Sequence, residues 1–243
     1  GENGLRKSSD RRRMVVKLAG GLLAVVLGAV VGAYAAAGYV GDKIYRSQVV
    51  DEARSIADMA ENVGAWASTY RGVWVRDDGL TQSGVDIGTH VDTRRYRAEA
   101  EVSGESHDLY DTYYRKNPAL VQRELADVIR RSNSRGKFRL TSDKYMNPMN
   151  APDGFDTRAM EAMRKSGQEE YFEVQGGEMK YARRVLAKES CMACHDTPAG
   201  VPAAISRLYP GSQGYGYVKG GLAGIISVRV PCTFDRAAVF NAI

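Results

Sequence analysis

The sequence predicts an α+β protein in which a single N-terminal transmembrane helix leads into one domain of helices flanking a small antiparallel sheet. Three observations predict it. Leu18–Val40 carries no charged residue, apolar residues recur at helical spacing just beyond it, and the pairs Gly176-Gly177 and Gly220-Gly221 each separate two short runs that alternate like strands.

Taken in order, residues 1–17 are a polar basic tail and 18–40 the membrane helix, which at about 1.5 Å per residue is long enough for a hydrocarbon core of about 30 Å. Ala33-Tyr34-Ala35 and Ala35-Ala36-Ala37 resemble the small-residue pattern before a signal cleavage site, but the apolar run exceeds a typical signal core, so we read an uncleaved anchor. Arg6, Lys7, Arg11, Arg12, Arg13 and Lys17 precede the span, which keeps the N-terminus cytoplasmic and puts residues 41–243 on the periplasmic face of a bacterial inner membrane. The net charge of +5 is largely this topology signal, since six basic and two acidic residues in 1–17 account for +4 and leave +1 for the rest. That excludes the basic patch a nucleic-acid-binding domain needs. The expected partners are the bilayer and other membrane-protein subunits or a redox partner, with a cytoplasmic-side protein surface holding the tail.

Residues 41–74 are expected to be helical, with Ile44, Val49, Ala53, Ile56, Ala57, Ala60, Val63, Ala67 and Tyr70 on one face. Val85–Glu105 reads as loop. A second helix starts at Asn117-Pro118, where proline suits a first turn, Lys137–Ser142 alternates as a strand, and Lys144–Gly154 breaks regular structure. Phe155–Lys165 is an amphipathic helix. Tyr171–Val174 with Met179–Leu186, and Gly214–Lys219 with Leu222–Val230, are the two hairpins.

Between those hairpins lies Cys191-Met192-Ala193-Cys194-His195, a C-x-x-C-H signature for covalent attachment of one haem c. Thiols at this spacing reach the two vinyl groups of one porphyrin, and the imidazole that follows is positioned for the iron. A structural zinc site needs four ligands, and beyond the motif the chain offers only Cys232, His90 and His107 with no second close pair. A thiol–disulfide site would open a helix after a strand in a βαβ pattern, which is missing here. Cys232 is left over and reads as a small buried residue. No convergent acid–base or nucleophile set accompanies the motif, so an enzyme is not expected.

The order of these segments resembles the exported haem-binding family, formerly of unknown function, with a PAS-like sheet, typified by a cyanobacterial c-type cytochrome. The resemblance rests on Tyr145–Pro152, Met179–Arg183, Cys191–His195, Gly214–Gly216 and Val228–Pro231, and covers roughly Lys43 to Pro231. It implies a PAS-like domain acting as a free-standing redox protein or as the input of a membrane sensor. In the typifying member a cysteine on the N-terminal helix is the second axial ligand; this chain has no cysteine before Cys191 and carries Met59 at a comparable place. Met59 is therefore the candidate opposite His195, with core packing as its ordinary alternative, and His90 and His107 are the others. Met146 and Met149 flank a proline turn and are more ordinary gap-fillers. Tyr181, Tyr209, Tyr215, Tyr217, Trp66 and Trp74 are candidate pocket walls, and Arg183, Arg184 or Lys219 candidate propionate partners. The expected function is a membrane-anchored monohaem cytochrome transferring electrons on the periplasmic face, as accessory subunit of a respiratory or photosynthetic complex. The alternative is a haem-based redox or gas sensor signalling through its membrane helix.

Overall fold

The computed structural model describes residues 2–77, 90–97, 110–211 and 213–234, and nothing of the others. One compact unit spans Val49–Thr233, and the chain up to Gln48, with Phe234, belongs to a second. In the second unit, α1 (Glu2–Thr69) contributes an apolar stretch with mean hydropathy 2.4 over its best window, none of it buried. That helix is long and apolar enough to cross a membrane. Near its end Arg46 pairs with Asp42 at 2.8 Å, and Tyr45 meets Phe234 with ring centroids 5.7 Å apart.

The rest of α1 belongs to the larger unit and buries Val49, Val50, Ala53, Ala57, Ala60 and Ala67. Alanines at this spacing give a narrow face that approaches its neighbours closely. Gln122 donates to the Ala60 carbonyl at 2.8 Å, and a Cβ on Gly64 would collide with that glutamine. The helix ends earlier than the expected Trp74. Arg71 (φ 56°) and Gly72 (φ 113°) turn the chain left-handed, and a Cβ at Gly72 would meet the Lys116 carbonyl. Trp74 instead lies in β1 (Val73–Asp77), where alternating β-branched residues favour extension.

Strand β1 pairs with β3 (Tyr110–Lys116), which also pairs with β2 (Asp92–Arg97), giving an antiparallel sheet ordered β1-β3-β2. The expected loop over 85–105 is thus corrected at 92–97: Asp92–Arg97 has no apolar alternation, and its pairing with β3 makes it a strand. Pro118–Arg131 is α2, capped by the Asn117 side chain, which accepts from the Leu120 N–H at 2.9 Å.

The second sheet is antiparallel and ordered β4-β7-β6-β5, with β4 Lys137–Thr141, β5 Glu170–Gln175, β6 Glu178–Leu186 and β7 Leu222–Pro231. Helix α3 (Gly154–Ser166) opens with a capping box between Asp153 and Asp156 and stops at Gly167 (φ 72°). It packs Phe155, Ala159, Met160 and Met163 on Ala182 and Ile225. Alternate residues of β6 and β7, among them Tyr181, Val228 and Val230, are buried as well, so both faces of this sheet are covered. On that other face Arg54 and Asp58 of α1 bond to Glu170 and Arg183. The expected last hairpin is only half formed. Gly214–Lys219 is irregular, because Gly214 (φ 96°) and Gly216 (φ 70°) depart from extended geometry and their backbone bonds run elsewhere.

Candidate functional site

Residues 188–219 form an insert between the adjacent strands β6 and β7. Its base is closed by Ala187, whose N–H donates to the Gly221 carbonyl at 2.9 Å and whose carbonyl accepts from Gly220 N–H at 2.8 Å. The C-x-x-C-H residues lie on α4 (Glu189–His195), followed by α5 (Ala203–Leu208). Cys191 and Cys194 are half-buried free thiols, and Cys232 is buried, as expected of it. Among the described residues no three His, Cys, Asp or Glu side chains converge on a point fit for a metal ion.

His195 is held on three sides. Its Nδ1 donates to the Gly214 carbonyl at 2.7 Å, because a carbonyl only accepts, which leaves Nε2 as the ring nitrogen open to another partner. Tyr217 stacks on the imidazole with centroids 4.4 Å apart and planes 15° from parallel. The backbone between them is tied to the end of α4: Gly216 N–H donates to Asp196 O (2.9 Å) and Tyr217 N–H to His195 O (3.0 Å). These bonds satisfy carbonyls a helix end leaves open. Gly214 cannot be another residue without displacement, since a Cβ there would lie 2.8 Å from Met146 Cβ. The Tyr217 hydroxyl sits between the Lys144 carbonyl (3.1 Å) and Ser142 Oγ (3.2 Å), and burial pushes its pKa up. The irregular Lys144–Asn150 segment is thus part of the site.

Burial also raises the Cys194 thiol pKa, against a lowering by the Arg115 guanidinium, whose charge is felt there across space. Arg115 is a residue the sequence reading missed. It lies on the central strand β3, its Nε is buried, and no described group hydrogen-bonds it. Asp92 is its cross-strand partner, yet that carboxylate accepts from Thr93 N–H at 2.9 Å and faces Arg94 at 4.0 Å. By contrast the expected propionate partners are engaged: Arg183 with Asp58 (2.8 Å), Arg184 with Glu169 (2.9 Å) and Lys219 with Glu189 (2.7 Å).

Met59 is not in the core; it is 39% exposed, on the same side of α1 as Trp66 (54%) and Tyr70 (66%). His90 sets its ring against Tyr114, centroids 4.6 Å apart, and His107 lies outside the described residues. Met149 is exposed, and Met146 packs its backbone on Gly214. Of the aromatic candidates, Tyr217 is at the motif and Tyr209 accepts from Arg123 of α2 at 3.0 Å. Tyr181 is buried in the four-stranded sheet, where burial pushes its hydroxyl up to about 12. Trp74 carries Arg94 over its ring at 4.8 Å, and Tyr215 is half-buried.

These residues suit a c-type haem: two accessible thiols on one helix and, beside them, an imidazole with Nε2 free. The sequence profile of the Tll0287-like family matches residues 42–231. The chain is also similar to a solved structure described as the cyanobacterial haem protein Tll0287, at 27% identity over 49% of this chain and 75% of that one, with a TM-score of 0.45. No curated protein matches. A profile match across most of the chain, including every residue that holds His195, shows that this protein belongs to the Tll0287-like family.

Proposed function

We propose that this protein is a membrane-anchored monohaem c-type cytochrome that transfers electrons on the periplasmic face, as an accessory subunit of a respiratory or photosynthetic membrane complex. The observation that carries the reading is His195, fixed through Nδ1 and Tyr217 with Nε2 left to bind iron. Cys191 and Cys194 would hold the haem through their thiols, and His195 would face its iron through Nε2. Haem, when bound, supplies an iron that cycles between ferrous and ferric states. The chain's own residues fix the imidazole, exclude water from its Nδ1 side and hold α4 on the Gly214–Tyr217 segment.

Met59 is the proposed sixth ligand, as an exposed thioether of α1; the Met59→Ala variant loses the low-spin spectrum if so, and an unchanged spectrum removes Met59 from the iron. Attachment is tested by co-expression with covalent haem-attachment machinery. One haem per chain surviving denaturation is expected from the parent, and none from Cys191→Ser/Cys194→Ser. A parent chain that keeps no haem overturns the reading. The sensor alternative gains from the ties of α1 to the insert-bearing sheet at Glu170 and Arg183. A five-coordinate ferrous haem that binds carbon monoxide readily favours it; recovery in stoichiometric amount with a redox complex favours electron transfer.

A further inference from the structure

We propose that Ser142 is a positioning residue for His195, acting through the Tyr217 hydroxyl to fix the plane of the imidazole. The proposal rests on the haem reading above and deepens it, since it places control of the iron-facing ring at the end of β4, far in sequence from the C-x-x-C-H segment. One hydrogen bond does not fix a histidine ring. The torsion about its Cβ–Cγ bond is broad, and the Nδ1 contact with the Gly214 carbonyl at 2.7 Å leaves the imidazole able to rock about that line. The stacked Tyr217 ring, 4.4 Å away and 15° from parallel, blocks the rocking only if its own plane is held. A tyrosine ring has the same soft torsion, and the group that can hold it is the hydroxyl at its far end.

That hydroxyl is held at two points, the Lys144 carbonyl at 3.1 Å and Ser142 Oγ at 3.2 Å. Ser142 directly follows β4 and is buried. Its Oγ donates to the Ala223 carbonyl of β7 at 2.6 Å and accepts from the Lys144 N–H at 3.1 Å, so the oxygen that meets Tyr217 is itself anchored to a strand. Nor can the serine swing freely: β7 passes so close that a Cβ on Gly224 would lie 3.1 Å from Ser142 Cβ and would collide with the Thr141 carbonyl. The same segment holds its neighbour a second time, Lys144 Nζ donating to the Gly216 carbonyl at 2.5 Å. His195 is thereby tied, ring to ring and hydroxyl to hydroxyl, to the paired strands β4 and β7. Outer contacts of this kind orient an imidazole for its metal.

The test uses the full chain matured with haem and the variants Ser142→Ala, Tyr217→Phe and the two together. Two readouts follow the ring itself: the g values of the ferric haem by electron paramagnetic resonance, and exchange of the His195 Nδ1 proton with water by nuclear magnetic resonance. Tyr217→Phe keeps the stack and removes the hydroxyl; it should speed the exchange about fivefold, the scale of one hydrogen bond, and shift or broaden the largest g value. Ser142→Ala should move both readouts in the same direction. Added to Tyr217→Phe it should change neither further, because the hydroxyl through which Ser142 acts is already gone. A Ser142→Ala effect that persists undiminished in the Tyr217→Phe background overturns the proposal, since the serine then acts on the fold and not through the tyrosine. An unmoved ring in either single variant overturns it too. If Ser142→Ala does not accumulate, the same comparison is made with Ser142→Cys, whose sulfur is a weak acceptor. A parent chain without haem overturns the cytochrome reading, and proton exchange in that haem-free chain still tells whether Ser142 positions the ring; a haem-bearing parent with an unmoved ring overturns this proposal alone.

Discussion

The two sheets of the larger unit are built differently. The β4-β7-β6-β5 sheet has α3 on one face and α1 on the other, and its central strands bury Ile225, Ile226, Val228 and Val230 together with Tyr181 and Ala182. In the β1-β3-β2 sheet Lys116 is the single buried side chain among those described, paired with Glu124 of α2 at 2.6 Å. The first sheet carries its own stability. The second offers arginines and aromatic rings, with Arg115 Nε buried and without a hydrogen-bond partner among the described residues. The first sheet is thus a scaffold and the second a thinner wall within one unit, and the insert bearing Cys191–His195 hangs from the scaffold.

Substitutions can break that contrast, beginning where the effect is largest. Met160→Ala, in the α3 layer of the scaffold sheet, should cost about 3 kcal/mol in urea unfolding of the haem-free chain, and a loss under about 1 would make that sheet less central than its burial implies. Gly214→Ala should cost about 1–3 kcal/mol locally, from the left-handed backbone and the crowding of Met146. Its signature is a disturbed His195, seen as a loss of low-spin haem with the unfolding midpoint nearly kept. Glu170→Gln should remove about 1 kcal/mol at neutral pH. The Arg54 bond, and then that of Tyr181, holds the Glu170 carboxyl below its usual range against partial burial. Its folded pKa is depressed, so its contribution is complete above the unfolded glutamate pKa of about 4.3 and is lost as pH falls through the folded value. The variant should therefore show a flatter acid limb, and parallel limbs would remove Glu170 from the linkage. Trp74→Ala, on the wall sheet, should move haem-free stability by only about 0.5–1 kcal/mol, the scale of its exposed contact with Arg94. A larger loss would show that the wall sheet has a core of its own.

The same contrast explains what was legible beforehand. Scaffold strands announce themselves through apolar alternation and glycine pairs, and β4, β5, β6 and β7 lie where those signals put them. Strands β1, β2 and β3 have no buried stripe to write in the sequence, so Asp92–Arg97 looked like loop and Trp74 like the end of a helix. The C-x-x-C-H motif was readable because its residues are contiguous. Its supports come from 144–146 and 214–217, brought to α4 by the fold; Tyr217 stood only as one of several candidate pocket walls, and Gly214–Lys219 looked like a strand of a hairpin turned at Gly220-Gly221. Arg115 was invisible because what marks it is the lack of a partner, a property of three dimensions.

The pair of backbone bonds joining Ala187 to Gly220 and Gly221 closes the insert at its neck while β6 and β7 pair below it. Strand register is therefore indifferent to the length and content of residues 188–219. Mutation can remodel the surroundings of the C-x-x-C-H motif, lengthen the helices after it or alter the loops between them without shifting a single strand pair. A chain built this way can change what its insert touches over evolutionary time while its folding problem stays the same.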